Sequence, residues 1–145
     1  MDQLFLHNQL CFPLYALSRQ VTTLYRPYLE ELDLTYPQYL VMLLLWQHEK
    51  MSVKAIGCEL WLDSGTLTPL LKRMEETGLI SRERCTEDER VVNIHLTKEG
   101  RQLQKKATEI PANIFSELNI SESQLKSLKK DLCNILGKLE KKCSH

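Results

Sequence analysis

The sequence predicts a mainly α-helical fold with one small β-hairpin, a helix-turn-helix and wing set between flanking helices. Three observations predict it. Apolar residues recur every three or four positions along most of the chain. That period gives way to alternation only in the stretch LISRERCTEDERVVNIHLT. A short capped segment, SVKAIGCEL, is followed after a brief turn by LDSGTLTPLLKRMEETGL, whose polar positions are Ser, Thr, Lys and Arg; this is helix-turn-helix organisation.

Taken in order, Leu10, Leu14, Leu17, Val21, Leu24, Tyr28 and Leu32 mark a long first helix within Asn8 to Leu32. Either it begins close to Cys11 or it kinks at Pro13, because proline lacks the N–H that a helix interior uses. Thr35 is an N-cap with Gln38 at the capping-box position, and Pro37 falls in the first turn. The helix that follows, to Glu49, is apolar nearly all round and therefore buried. Ser52 opens the next short helix. Asp63 or Ser64 caps a helix with the face Leu67, Leu70, Leu71 and Met74, and Gly78 stops it. Ile80, Arg82 and Arg84, then Val92, Ile94 and Leu96, alternate along the two hairpin strands about the polar turn TEDE. A further helix runs from Thr97 to about Leu118 with a kink or break at Pro111. Ser121 caps the last, whose face is Leu125, Leu128, Leu132, Ile135, Leu136 and Leu139.

This order divides the chain into a helical dimerisation region, residues 1–34 and 98–145, and a winged helix-turn-helix, residues 35–97, in one intertwined domain. The terminal apolar stripes have little of their own chain to cover them, so a symmetric homodimer is expected. Two recognition helices held roughly 34 to 36 Å apart suit an inverted repeat in double-stranded DNA.

Composition narrows the partners. The 145 residues are 43% hydrophobic and 26% charged, with formal net charge zero, so DNA contact has to come from local placement of charge. MDQLFLHNQL lacks the basic n-region and apolar core of a signal peptide, and the run Leu40 to Trp46 is too short to span a bilayer. A soluble, cytoplasmic protein with no membrane partner is expected. The five cysteines, Cys11, Cys58, Cys85, Cys133 and Cys143, are odd in number and contain no CxxC, so reduced thiols are the default. The scattered histidines (His7, His48, His95, His145) form no HxxxH, and of them only His7 shares a helical face with a cysteine, Cys11. No metal site and no cofactor are expected.

Ser64, Thr66 and Thr68 stand near the start of the second helix of the helix-turn-helix, where side chains reach base edges. Lys72 and Arg73 follow, suited to phosphate or guanine, and Arg82, Arg84 and Arg90 lie on the hairpin. Asp63 or Asp88 is expected to hold Arg90 in place, while Glu75, Glu76 and Glu99 can face away from DNA. The stretch QLCFPLY is the other notable constellation. A cysteine at a helix start can be held as its anion by the helix N-terminus and by hydroxyl donors, and a thiolate reacts with peroxide where a thiol hardly does. The neighbours Leu10, Phe12 and Leu14 favour organic peroxides over hydrogen peroxide.

LDSGTLTPLLKRMEETGLISRER, EDERVVNIHLT and LDLTYPQYLVMLLLW resemble the MarR family of winged-helix regulators. With QLCFPLY they resemble its organic-hydroperoxide-sensing (OhrR) branch, over Asn8 to about Leu139. The resemblance implies a dimeric repressor of a peroxide-detoxifying gene, released when an N-terminal cysteine is oxidised in a pocket of tyrosines donated across the dimer. Cys11 matches that cysteine, and Tyr15, Tyr25 and Tyr36 match the tyrosines. Two-cysteine members carry a resolving cysteine in the penultimate helix region, where ANIFSELNISE has Ser116 and Ile120; Cys133 and Cys143 do not match it. The one-cysteine type is thus implied, in which a small cellular thiol forms a mixed disulfide with the oxidised cysteine. Two other readings compete. A regulator released by a small phenolic or metal ligand would respond without change at Cys11. A thiol peroxidase would turn over many equivalents of peroxide, but the chain shows no thioredoxin-like βαβ pattern and would leave its winged helix without a task, so an enzyme is not expected.

Overall fold

A computed structural model of the chain describes residues 1–139. Cys143 and His145 lie outside the described residues.

Two 3-10 turns, Asp2–Leu4 and Leu6–Asn8, precede α1, Cys11–Glu30. Pro13 falls in the first turn of α1, where its nitrogen has no helical partner to lose, and the helix begins at Cys11. Periodicity carried this helix to Leu32. It stops at Glu30, one turn after Pro27 removes a main-chain donor, and Asp33 turns the chain at φ 53°. Thr35 and Gln38 then form the expected capping box: Thr35 N–H donates to Gln38 Oε1 at 2.9 Å, and Gln38 N–H to Thr35 Oγ1 at 3.4 Å. The capped helix α2, Tyr36–His48, runs through the core with Tyr39, Val41, Met42 and Leu45 buried.

The hairpin is part of a larger sheet. Lys50–Ser52 forms β1, and it pairs with β3, Val92–Leu96, which also pairs with β2, Ile80–Arg84; all pairing is antiparallel, in the order β1-β3-β2. Sequence reading missed β1 because a strand this short gives no alternation to detect. Ser52 ends it and at once caps α3, Val53–Leu60, through Ala55 N–H at 3.1 Å. Asp63, rather than Ser64, caps α4, Ser64–Glu76, accepting Thr66 N–H at 2.7 Å. Gly78, at φ 79°, turns the chain out of α4 into β2.

The expected helix from Thr97 is two helices, α5, Lys98–Ala107, and α6, Ile110–Leu118. The break falls just ahead of Pro111, which occupies the first turn of α6, where its missing N–H costs nothing. Gly100 lets α5 cross the end of the α4–β2 turn: a Cβ there would run into the Leu79 carbonyl. Trp46 Nε1 donates to Gly100 O at 2.9 Å, which ties α5 to α2. A second capping box, Ser121 with Gln124, starts α7, Glu122–Lys138.

One apolar core joins these elements, built from Leu29, Tyr39, Met42, Leu45, Ile56, Leu67, Leu71, Met74, Ile80, Ile94 and Ile114 among others. The chain ends contribute little to it. Leu4, Phe5, Leu10, Phe12, Leu14 and Leu17 are exposed at one end, and Leu128, Ile135, Leu136 and Leu139 at the other. The apolar stripe predicted for α7 therefore forms as expected and faces outward.

Candidate functional site

Two surfaces carry the residues singled out by the sequence. The first is the cleft between α3, α4 and the wing. Its cavity measures about 580 Å³, and Lys54, Ser64, Thr68, Arg82, Arg84 and Arg90 line it. The pleat explains the arginines. Ile80, Arg82 and Arg84 share one face of β2, so the strand that buries Ile80 against the core aims both arginines along the same side. Thr66, Lys72 and Arg73 are exposed on α4, outside the cavity lining. Lys54 was not anticipated. It reaches the cleft because β1 anchors the start of α3 beside β3, a placement that no local pattern signals.

Charge in the wing is organised by hydrogen bonds. Arg90 donates through its main-chain N–H and Nε to Asp88 Oδ1, at 3.1 and 3.0 Å, and through Nη2 to Asp88 Oδ2 at 3.2 Å. Asp88 is thus the acid that holds Arg90, and the Arg90 hydrogen bonds keep its carboxyl below the usual carboxylate range. The other candidate for this role, Asp63, is engaged in capping α4. The Arg90 side chain is 91% exposed, aimed outward from the wing while fixed at its base. Arg84 Nη1 donates to Glu89 O at 3.0 Å, bracing the loop from inside. Arg82 is gripped from α4: Glu75 accepts its main-chain N–H at 3.1 Å and its Nε at 2.8 Å.

The second surface is aromatic. Tyr25 of α1 and Tyr36 of α2 pack with their rings tilted by 56° and centroids 4.9 Å apart, and Tyr39 completes the cluster at 5.8 Å from Tyr25 and 6.4 Å from Tyr36. Tyr39, only 2% exposed, was not anticipated, although its i, i+3 spacing from Tyr36 puts both on one face of α2. Burial, reinforced by Tyr36 and Tyr39, pushes the Tyr25 phenol up to about 12, and burial also raises Tyr36 and Tyr39. These hydroxyls therefore remain protonated donors throughout the physiological range. Tyr15 stands apart. It is 63% exposed, and the Arg19 guanidinium lies 5.5 Å from its ring centroid.

Cys11 is the first residue of α1 and is exposed, and the N-cap, Leu10, offers no side-chain acceptor to the free N–H groups there. Within one chain it cannot meet the tyrosine cluster. A continuous helix separates Cys11 from Tyr25, a rise of about 21 Å at 1.5 Å per residue. An open groove of about 610 Å³ runs beside Tyr36, lined by Arg19, Thr22, Arg26 and Thr35 among others. Ser116, at the place where a resolving cysteine was sought, is exposed on α6; next to it Glu117 accepts a hydrogen bond from Tyr28 that ties α1 to α6. Cys85 is half-buried at the base of the wing loop and Cys133 is exposed on α7. Cys58 is half-buried where it lines the cleft.

The same layout recurs in known proteins. The sequence profile of the transcriptional regulator SarA/Rot family matches residues 23–107. The organic hydroperoxide resistance transcriptional regulator of Bacillus subtilis is 53% identical over 141 residues, which cover 97% of this chain and 96% of that one. The chain belongs to the MarR family of winged-helix regulators. Among solved MarR-type structures, reduced AbfR bound to DNA, from Staphylococcus epidermidis, superimposes with a TM-score of 0.78 at 38% identity, covering 95% of this chain and 96% of that one. Overoxidised AbfR bound to DNA gives 0.77 at 37% identity, covering 96% and 98%. Among the described residues, no group of three or more metal-capable side chains comes together, and no helix is long and apolar enough to cross a membrane.

Proposed function

We propose that this MarR-family protein is a homodimeric, cytoplasmic repressor of transcription that binds an inverted-repeat operator and leaves it when Cys11 is oxidised by an organic hydroperoxide. The carrying observation is the separation just described. Cys11 and the Tyr25–Tyr36–Tyr39 cluster lie at opposite ends of α1, so a pocket containing both needs a second copy whose α1 runs the other way. The exposed apolar residues at both chain ends supply the surface for that pairing. The open groove beside Tyr36 is where the partner's first turn would enter.

The chemistry then follows in two steps. The Cys11 thiolate attacks the outer oxygen of the hydroperoxide and the O–O bond breaks; the sulfur keeps that oxygen as a sulfenic acid, and the alkoxide takes a proton from solvent and leaves as the alcohol. The thiol of a small cellular molecule attacks that sulfur, a disulfide forms, and the hydroxyl leaves as water. Phenols held as donors stabilise both the attacking anion and the developing alkoxide. Emptying an operator from nearly full occupancy needs about 10⁴ in differential affinity, roughly 5.5 kcal/mol. One added oxygen is a small lever for that; a bulky mixed disulfide wedged against the tyrosines is a large one. That a relative, AbfR, has been found on DNA in its overoxidised form supports this division of labour.

Intact mass and operator binding measured on the same samples test the proposal. Hydroperoxide alone should add one oxygen and leave most protein on DNA. Hydroperoxide with a small thiol should add that thiol and release it. Cys11→Ser should bind operator and ignore both reagents. Release of Cys11→Ser by hydroperoxide overturns the assignment of the sensor, and full release by sulfenate alone overturns the wedge.

A further inference from the structure

Glu75 sits in the last turn of α4, at the negative end of the helix dipole, where a carboxylate is disfavoured. It is nonetheless the group through which α4 holds the wing. One oxygen accepts the Arg82 main-chain N–H, an outward donor on β2, an edge strand of the sheet; the other accepts Arg82 Nε. The Arg82 bond keeps the Glu75 carboxyl below its usual range. Arg82 lines the same cleft as Arg84 and Arg90, yet it is the one of the three that carries an ion pair back to α4.

We propose that Glu75 is a specificity-determining positioning residue. Its grip on the main chain and side chain of Arg82 fixes the wing relative to the recognition helix, and it withholds the Arg82 charge from indiscriminate contact with phosphate. Two consequences follow, with opposite signs on two kinds of DNA. Operator binding needs helix and wing engaged together, so loosening the grip weakens it. Non-specific binding scales with the cations available to displace counterions, so freeing Arg82 strengthens it and steepens its salt dependence. A group that merely stabilised the fold would lower both together.

This inference rests on the reading of α4 and the wing as the DNA-contacting surface, and the experiment keeps the two apart. Affinities for operator and for scrambled duplex are measured across a salt series for wild type, Glu75→Gln, Arg82→Gln and the double variant, with Arg84→Ala and Arg90→Ala as a separate arm. Glu75→Gln, which keeps the shape and removes the charge, should bind scrambled DNA several-fold tighter with a log–log salt slope steeper by about one unit. Its operator-to-scrambled ratio should fall about tenfold. Arg82→Gln and the double variant should return the scrambled-DNA slope to the wild-type value. An unchanged ratio and slope in Glu75→Gln overturn the proposal. If that variant does not fold, Arg82→Gln decides: a scrambled-DNA slope shallower by about one unit shows that Arg82 already contacts phosphate and overturns it, whereas an unchanged slope supports it. If Arg84→Ala and Arg90→Ala both bind operator like wild type, the DNA surface itself lies elsewhere.

Discussion

Tyr25 shows what a single residue contributes. Its phenol is raised to about 12 by burial first and by its two tyrosine neighbours next. An unfolded tyrosine ionises near 10, so the folded state holds the proton more tightly than the unfolded one. The resulting stabilisation is complete below pH 10 and is lost as pH climbs from there to about 12. Urea unfolding at stepped pH should show a falling midpoint across that window, and Tyr25→Phe should flatten the fall. The same side chain bears on chemistry. Tyr25→Phe and Tyr36→Phe should slow Cys11 oxidation, read by stopped-flow loss of thiol, while operator affinity of the reduced protein stays near wild type. Equal oxidation rates in both variants would remove the phenols from the mechanism. Tyr15 belongs to a different environment, with the Arg19 guanidinium over its ring.

Helices and strands lock together where α5 passes the α4–β2 turn. Thr97 Oγ1 lies 2.7 Å from Gly78 O and 2.9 Å from Leu79 O while accepting Gly100 N–H at 3.1 Å, and Gly100 O receives Trp46. Gly100→Ala has no room for its methyl against the Leu79 carbonyl, a backbone group that cannot rotate away. The expected cost is about 1–3 kcal/mol, the range for overpacked sites, read as a lower thermal midpoint. Ser121→Ala breaks a capping box on a helix with no buried residue, and should cost about 1 kcal/mol at most. The wing behaves as a unit because Asp88 and Glu89 hold its arginines from within. Arg90→Ala should therefore weaken operator binding while the thermal midpoint hardly moves, since the side chain it removes is almost wholly in solvent.

At the scale of the molecule, one core joins the C-terminal end of α1, α2, the helix-turn-helix, the sheet and α6, whereas both chain ends keep other apolar faces outside. A chain that exposes Leu128, Ile135 and Leu136 on one helix and Leu10, Leu14 and Leu17 on another leaves two apolar helix faces for a second copy to cover. Ile135→Glu combined with Leu136→Glu should yield a folded monomer by sedimentation. It should also abolish operator binding, because one recognition helix per molecule cannot span two half-sites. The same variant should oxidise slowly, since Cys11 would lose the partner's tyrosines; normal oxidation in a proven monomer would show that the sensor pocket does not cross the dimer.

Local patterns in the sequence determined a great deal. Helix starts were legible at Thr35, Ser52 and Ser121 because a cap and the main-chain N–H that donates to it lie within one turn of each other. The paired strands of the wing were legible from alternation, and the outward stripe of α7 from its period. The tertiary structure alone decided the rest. It paired β1 with β3, buried Tyr39 against Tyr25, committed Asp63 to a helix cap and Asp88 to Arg90, brought Lys54 into the cleft, and set Glu75 against Arg82. Periodicity reports which face of an element is apolar; it carries no record of which element that face will meet. Pairings between elements depend on the whole chain closing around one core, so they exist only once that core has formed.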